Sequence, residues 1–438
     1  MRQVDTGSPG SDGDSPYRRR GRARLRKTRN AERKIEHDNE NENEHDWGRR
    51  GRQERLHTEK EMTTDIRFGL IGLGLMGREF ASAAARWSHL TNVDARPILT
   101  AVCDMNESAF GWFKQNVSTL EFATTDYHEL LQRDDVEAIY CAVPHHLHAQ
   151  FYTDIIRAGK HLLGEKPFGI DLAANRAILR AIEENPKVLV RCSSEFPFFP
   201  GAYAIIRALQ EKDFGKIVEV ESGFLHSSDL NSKKSINWKR MIEYNGEYGC
   251  MGDLGIHTVH IPFRFGWFPN RVHAQLSKIV RERPDAKGAL VPCRTWDNAT
   301  IYGEVDQNGH QFPITIHTKR IAPGEINTWF LRVIGTKRSM SYSTKYPKTL
   351  KVMEYEEGGP QAWQHIDLGY ESAYSTITGS IFEFGFTDSI LQMWAAFCDE
   401  LANGREKMKQ PFYCVTPEET LQSHLIFTQA LESYGIRA

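Results

Sequence analysis

The sequence predicts an α/β protein in two parts: an N-terminal doubly wound parallel sheet, then a C-terminal α+β domain with a large, mostly antiparallel open sheet. Three observations lead there. From Ile66 to Cys192, short apolar runs alternate with helix-length segments, as in a parallel sheet with crossover helices. From Ile217 to Ile334 the runs become β-rich with partial two-residue alternation, and Asn308-Gly309 marks a tight hairpin between two of them. Two helices then close the chain.

Taken in order, the first strand runs through Ile66-Arg67-Phe68-Gly69-Leu70-Ile71 and stops in Gly72-Leu73-Gly74-Leu75-Met76-Gly77. An alanine-rich helix follows to Trp87. Gly72 can take a backbone conformation closed to other residues, Gly74 lets the main chain approach a pyrophosphate, and Gly77 lets the helix lie close to its strand. That helix, read from Arg78 to Trp87, points its positive dipole end and free N–H groups at the phosphates. The second strand, Pro97 to Cys103, ends at Asp104, somewhat further past Gly77 than the usual interval of about 20 residues. A carboxylate there accepts from adenosine ribose hydroxyls and repels a 2′-phosphate, which favours NAD over NADP.

A helix near Glu107 to Gln115 and a strand from Val136 to Val143 lead to Pro144-His145-His146-Leu147-His148. A helix (Ala149 to Ala158) and a strand (His161 to Leu163) lead to Gly164-Glu165-Lys166-Pro167. Asp104, Pro144 and Glu165-Lys166 all fall at the carboxyl ends of strands, where such sheets bind ligands. Further on come a helix from Leu172 to Glu184, a strand from Val188 to Cys192, and β-runs at Ile217 to Phe224, Ala299 to Val305, Phe312 to Lys319 and Thr328 to Ile334. A helix from Thr387 to Asn403 stops at Gly404, and Thr416-Pro417-Glu418-Glu419 reads as a capping box opening the last helix. The divisions expected are a tail (1–64), a nucleotide-binding domain (65–190) and a substrate-binding and oligomerisation domain (191–438).

The 438 residues carry a net charge of −2, so the chain as a whole does not call for nucleic acid. The tail holds the run from Arg18 to Lys27 and few large apolar side chains, too few to offset ordering entropy. Disorder without a role, a basic arm for RNA or a membrane surface, and a true start at Met62 all fit it. With no apolar segment after the arginines, no secretory leader is expected, and no apolar run in the sequence approaches the length of a membrane span. The seven cysteines form no CxxC pair, which points to buried thiols, a reducing cytoplasm and no structural zinc.

The stretch from Gly252 to His260 carries the next signal. At about 3.6 residues per turn, Asp253, His257, His260 and Arg264 share one narrow helical stripe between apolar flanks, which suits a buried cavity. Asp253, one turn before His257, can fix the imidazole tautomer and raise its basicity. These residues could instead be core histidines with hydrogen-bond partners, or metal ligands. No clear further ligand is found elsewhere, and no metal is expected. Lys166, against Pro167 and oriented by Glu165, could reach a carbonyl or alkoxide and stabilise its charge. Trp238, Lys239 and Arg240 read either as sugar contacts or as an exposed loop.

With Gly72–Gly77, Glu165-Lys166-Pro167 and Asp253-Leu254-Gly255-Ile256-His257 in order, the chain from Ile66 onward resembles the glucose–fructose oxidoreductase / inositol dehydrogenase family (Gfo/Idh/MocA). Pro144-x-x-x-His148 and Gly335-Thr336-Lys337 add to the likeness. The resemblance implies a Rossmann domain that binds NAD, Lys166 and His257 as the catalytic pair supported by Asp253, and a cis Lys166–Pro167 peptide. It also implies a second sheet that lines the substrate pocket and pairs subunits as a homodimer or homotetramer. Two departures touch the pocket. His145 stands where the family often has asparagine, and Pro197-Phe198-Phe199-Pro200 where it often has Arg-Phe-x-Pro.

The expected activity is hydride transfer between NAD and a hydroxyl-bearing carbon of a sugar, polyol or derivative. The expected cofactor contacts are Gly72, Gly74, Leu75, Met76, Gly77, Asp104, Pro144, His145, His148, Glu165 and Lys166. The expected substrate contacts are Lys166, Trp238, Lys239, Asp253, His257 and His260. An NAD-retaining glycosidase and an NAD-sensing regulator are the alternatives.

Overall fold

The computed structural model describes residues 63–436 apart from 370, 380, 382–383 and 411. The expectations for residues 1–62, among them the arginine run and the Met62 start, lie outside the described residues. Six strands form the first sheet: β1 (Thr64–Ile71), β2 (Ala95–Cys103), β3 (Phe122–Thr124), β4 (Ala138–Cys141), β5 (His161–Gly164) and β6 (Val190–Cys192). All pair in parallel, in the order β3-β2-β1-β4-β5-β6. The order reverses between β1 and β4, which opens a crevice at their carboxyl ends. The crossovers carry α1 (Leu75–Ala85), α2 (Phe110–Asn116), α3 (Tyr127–Leu131), α4 (His148–Arg157) and α5 (Leu172–Glu184).

The second sheet has eight strands: β7 (Ile217–His226), β8 (Pro269–Ser277), β11 (Asn298–Gln307), β12 (His310–Lys319), β13 (Asn327–Gly335), β14 (Arg338–Ser343), β15 (Thr349–Glu354) and β16 (Gln364–Asp367). A separate ribbon pairs β9 (Glu282–Pro284) with β10 (Leu290–Pro292). The eight strands lie in the order β16-β15-β14-β13-β7-β12-β11-β8, and only β7 and β12 run parallel as neighbours. Asn308 and Gly309, both at positive φ, make the predicted turn between β11 and β12.

The helices α6 (Pro200–Gln210), α7 (Ile242–Asn245), α8 (Cys250–Arg264), α9 (Phe386–Asn403) and α10 (Pro417–Ser433) complete the fold. α9 returns to the first sheet, where Trp394 meets Phe68, Phe80 and Tyr140 with ring centroids 5.4, 3.9 and 4.9 Å away. Each such buried side chain contributes about 1.5–3 kcal/mol by the area it removes from water. α10 opens with the expected capping box of Thr416 and Glu419, and Pro417 occupies its first turn. Among the described residues all seven cysteines are buried and unpaired, and no helix is long and apolar enough to cross a membrane.

Candidate active site

A cleft of about 980 Å³ runs from the glycine turn to the second sheet, large enough for an extended ligand and a small one beside it. At one end it is lined by Gly72, Gly74, Leu75, Met76 and Asp104. Gly72 has φ +94°, and a methyl there would meet the Ala142 carbonyl oxygen at 2.6 Å, so β1 and β4 touch at the sheet's switch point. Gly77 does not line the cleft. A methyl on it would lie 2.4 Å from the Gly72 carbonyl oxygen, so its role is the close approach of α1 to its own strand. A methyl on Gly74 would meet nothing within 4 Å, which leaves the main chain open towards the cleft. α1 starts there with no capping side chain and no acidic residue in its first turn, so its N–H groups are available to an anion. Asp104 is fixed by the amides of Leu73 (2.8 Å) and Asn106 (2.9 Å). An open glycine, a free helix start and an anchored carboxylate at the next strand end fit a dinucleotide with unphosphorylated ribose.

Pro144, His145, Glu165 and Lys166 line the middle of the cleft, as expected. His148 does not. It is fully buried, its Nε2 lies 3.0 Å from the Val143 carbonyl oxygen, and its Nδ1 accepts from the Gly169 amide at 3.4 Å. Burial pushes its imidazole down to about 3, so it is a neutral brace under the end of β4 rather than a cofactor contact. The Glu165 carboxylate accepts from the Tyr140 hydroxyl at 2.6 Å. The Lys166–Pro167 peptide is cis, and His424 of α10 lies with Nε2 3.0 Å from the Pro167 carbonyl oxygen.

Lys166 Nζ donates to the Asp253 main-chain oxygen (2.7 Å) and carboxylate (2.9 Å), and so joins the first sheet to α8. Asp253 does not orient His257. Its carboxylate is taken by three cations: Lys166, Lys239 (3.0 and 3.3 Å to the two oxygens) and the Arg320 guanidinium. The imidazole instead has Nδ1 3.2 Å from Ser194 Oγ and 3.8 Å from Glu195, and its ring stands edge-on to Phe196 and Phe224. Nε2 makes no hydrogen bond among the described residues. His257 is only 4% exposed and, unlike the other expected substrate contacts Lys166, Trp238, Lys239 and Asp253, does not itself line the cleft; Glu195 and Phe224, which do, stand against its ring. Burial first, then the charges of Lys166, His226 and Lys239, hold it well below the usual imidazole range, so it is neutral at pH 7.

His260 is a second correction. It is fully buried, accepts from Arg264 Nη2 at 2.9 Å, and stands 4.0 Å from Glu419, away from the cleft. Arg264 itself pairs with Glu419 at 2.6 Å. The stripe argument fails because nearly every face of α8 is buried, so shared direction does not select the cavity. Trp238 and Lys239 do line the cleft, whereas Arg240 is wholly buried between Asp229 and Asp297.

Arg320, His226, Ser194 and Glu195 were not singled out from the sequence. Ser194 and Glu195 follow β6 directly, a carboxyl-end position that could have drawn notice. Arg320 lies just past β12, and its partners Asp229 and Asp253 come from distant segments, so no local pattern marks it. Burial pushes the Glu195 carboxyl up to about 8, and burial followed by Arg320 pushes His226 down to about 4.

The family model for an oxidoreductase family with an NAD-binding Rossmann fold (GFO/IDH/MocA) matches residues 66–192, and that for the GFO/IDH/MocA C-terminal domain matches residues 204–341. The chain belongs to the Gfo/Idh/MocA family. It is therefore an NAD-binding oxidoreductase of two α/β parts, as the sheets indicate. Glucose-6-phosphate 3-dehydrogenase of Bacillus subtilis (strain 168) is 27% identical over 293 residues, 66% of this chain and 77% of that one. Inositol 2-dehydrogenase of Rhizobium meliloti (strain 1021) is 27% identical over 49% of this chain and 59% of its own length. Among solved structures, levoglucosan dehydrogenase in complex with NADH superposes with a TM-score of 0.75 at 20% identity, covering 85% of this Gfo/Idh/MocA chain and 97% of that one.

Proposed function

We propose that the protein is an NAD-dependent dehydrogenase that oxidises a hydroxyl-bearing carbon of a sugar, polyol or sugar derivative, with Lys166 and His257 as its catalytic residues. The observation that carries this is Lys166 clamped on Asp253, one helical turn before a neutral His257, beside a cleft lined by the glycine turn and Asp104. Bound NAD supplies the acceptor for the electron pair leaving the carbon. His257 takes the hydroxyl proton at Nε2, directly or through a water, because Nδ1 faces Ser194. The Lys166 ammonium stabilises the negative charge that gathers on the substrate oxygen. Asp253 keeps Lys166 in place, and Trp238 and Lys239 bound the substrate end of the cleft. Sugar and polyol dehydrogenases among the relatives support this reading.

A panel of sugars and polyols incubated with NAD, followed by nicotinamide absorbance, tests it. Reduction of NAD by at least one substrate is expected. Release of an aglycone without net NADH would move the assignment to an NAD-retaining glycosidase. We assign residues 65–190 to NAD and 191–438 to substrate and subunit pairing, with the eight-stranded sheet joining copies into a homodimer or homotetramer. Sedimentation of the purified chain checks this. The unpaired buried thiols suit the cytoplasm.

A further inference from the structure

We propose that the substrate of this dehydrogenase bears an anionic group, a carboxylate or a phosphate, that seats on Lys239 and Arg320. The proposal rests on the dehydrogenase reading and narrows its substrate class. Both side chains line the cleft. Among the described residues, the hydrogen bonds of Lys239 Nζ go to Asp253 alone, and Arg320 Nη2 makes none.

Basic side chains crowd around them. Asp253 is shared by Lys166, Lys239 and Arg320. Asp229 is shared by Arg320 and Arg240, and Asp297 takes the other side of Arg240. Arg283 adds a further buried cation whose hydrogen bonds go to the main-chain carbonyls of Asp229, Asn231 and Lys234. Beside these five basic side chains stand three carboxylates in direct contact, with Glu165 and Asp104 elsewhere along the cleft wall. Glu195 adds little charge at neutral pH, since burial raises it to about 8. Three basic side chains, Lys166, Lys239 and Arg320, thus converge on the single Asp253 carboxylate at the cleft wall.

The surrounding groups register this field. After burial, the charge of Lys166 is the next cause depressing His145 and His257, and that of Arg320 the next for His226. Lys239 is itself pushed well down, by burial and then by Arg320 and Lys166. An anion arriving beside Lys239 and Arg320 adds a second counter-charge to this cluster, favours the protonated form of Lys239, and can accept from Arg320 Nη2, which has no partner among the described residues. A neutral sugar would leave the repulsion in place.

Isothermal titration of the NAD-loaded protein with glucose, glucuronate and glucose 6-phosphate tests this. At least one anion is expected to bind about tenfold more tightly than glucose, the worth of one charged hydrogen bond. Glucuronate alone would assign a carboxylate, and glucose 6-phosphate alone a phosphate. The advantage should shrink with added salt and disappear in Lys239→Gln, whose fold is checked by NADH binding. Equal or tighter binding of glucose, or an advantage indifferent to both salt and Lys239→Gln, overturns the proposal. Anion binding with no NADH formed from any sugar would remove the dehydrogenase reading and keep the charge assignment. NADH formed from neutral sugars with no anion preference would do the reverse.

Discussion

Asp253→Asn separates two roles for this carboxylate. In the structure Asp253 is 1% exposed and is the carboxylate shared by three basic side chains, so the substitution leaves Lys166, Lys239 and Arg320 facing an uncharged amide. Removing one partner of a buried ion pair costs about 3–5 kcal/mol. Arg320 keeps Asp229, and Lys166 keeps the residue-253 main-chain oxygen, which places the loss near the lower end, about 3 kcal/mol. Urea unfolding of the NAD-free protein reads this directly, as a fall in midpoint at unchanged slope. A carboxylate that merely oriented His257 would lower turnover and leave stability nearly intact. A loss below about 1 kcal/mol would refute the three-cation account.

Further outcomes follow from the same geometry. Gly74→Ala is expected to leave the melting temperature unchanged and to weaken NADH binding, because its methyl meets only open cleft. Gly77→Ala should destabilise the fold itself, because its methyl falls on the Gly72 carbonyl. Thermal melts and NADH fluorescence titrations distinguish the two, and equal behaviour would contradict the assignment. His257 must be neutral to accept a proton, and burial with Lys166 nearby keeps it so below its ordinary value of 6.5. The acid limb of kcat/KM for oxidation is therefore expected below pH 6.5, and a limb at or above that value would count against it. Glu195 has a folded-state pKa of about 8 against an ordinary 4.5, so its contribution to stability is present below pH 4.5 and lost as pH rises towards 8. Glu195→Gln should gain on the wild type by at most about 1.4 kcal/mol per pH unit across that window, read from urea midpoints at its two ends.

The parallel sheet and its glycine turn were legible because both obey local rules: a buried strand, a turn only glycine can make, a helix start. The same holds for the Asn308-Gly309 hairpin and the Thr416–Glu419 capping box. Strands β14 to β16 escaped notice because they form one end of the sheet with few apolar residues, β16 being exposed along its length. In the site, Lys166 and Asp253 were legible as chemistry but not as partners. Their contact depends on how α8 docks on the first sheet, a tertiary fact that spacing does not encode. His260 and Arg264 show the converse. Helical periodicity gave their direction correctly, but in a helix buried all round that direction leads to Glu419 and α10, away from the cleft. Arg320 became visible only once β12 lay beside β7 and brought it over Asp229.

The central claim, that Lys166 acts on the reacting oxygen rather than on the cofactor, is tested most directly by Lys166→Ala. NADH affinity measured by fluorescence should stay within about threefold of wild type, while turnover on the best substrate falls by about 10²-fold or more, the usual size for loss of a charge-stabilising group. Turnover that survives the substitution, or that falls only in step with NADH affinity, would contradict it.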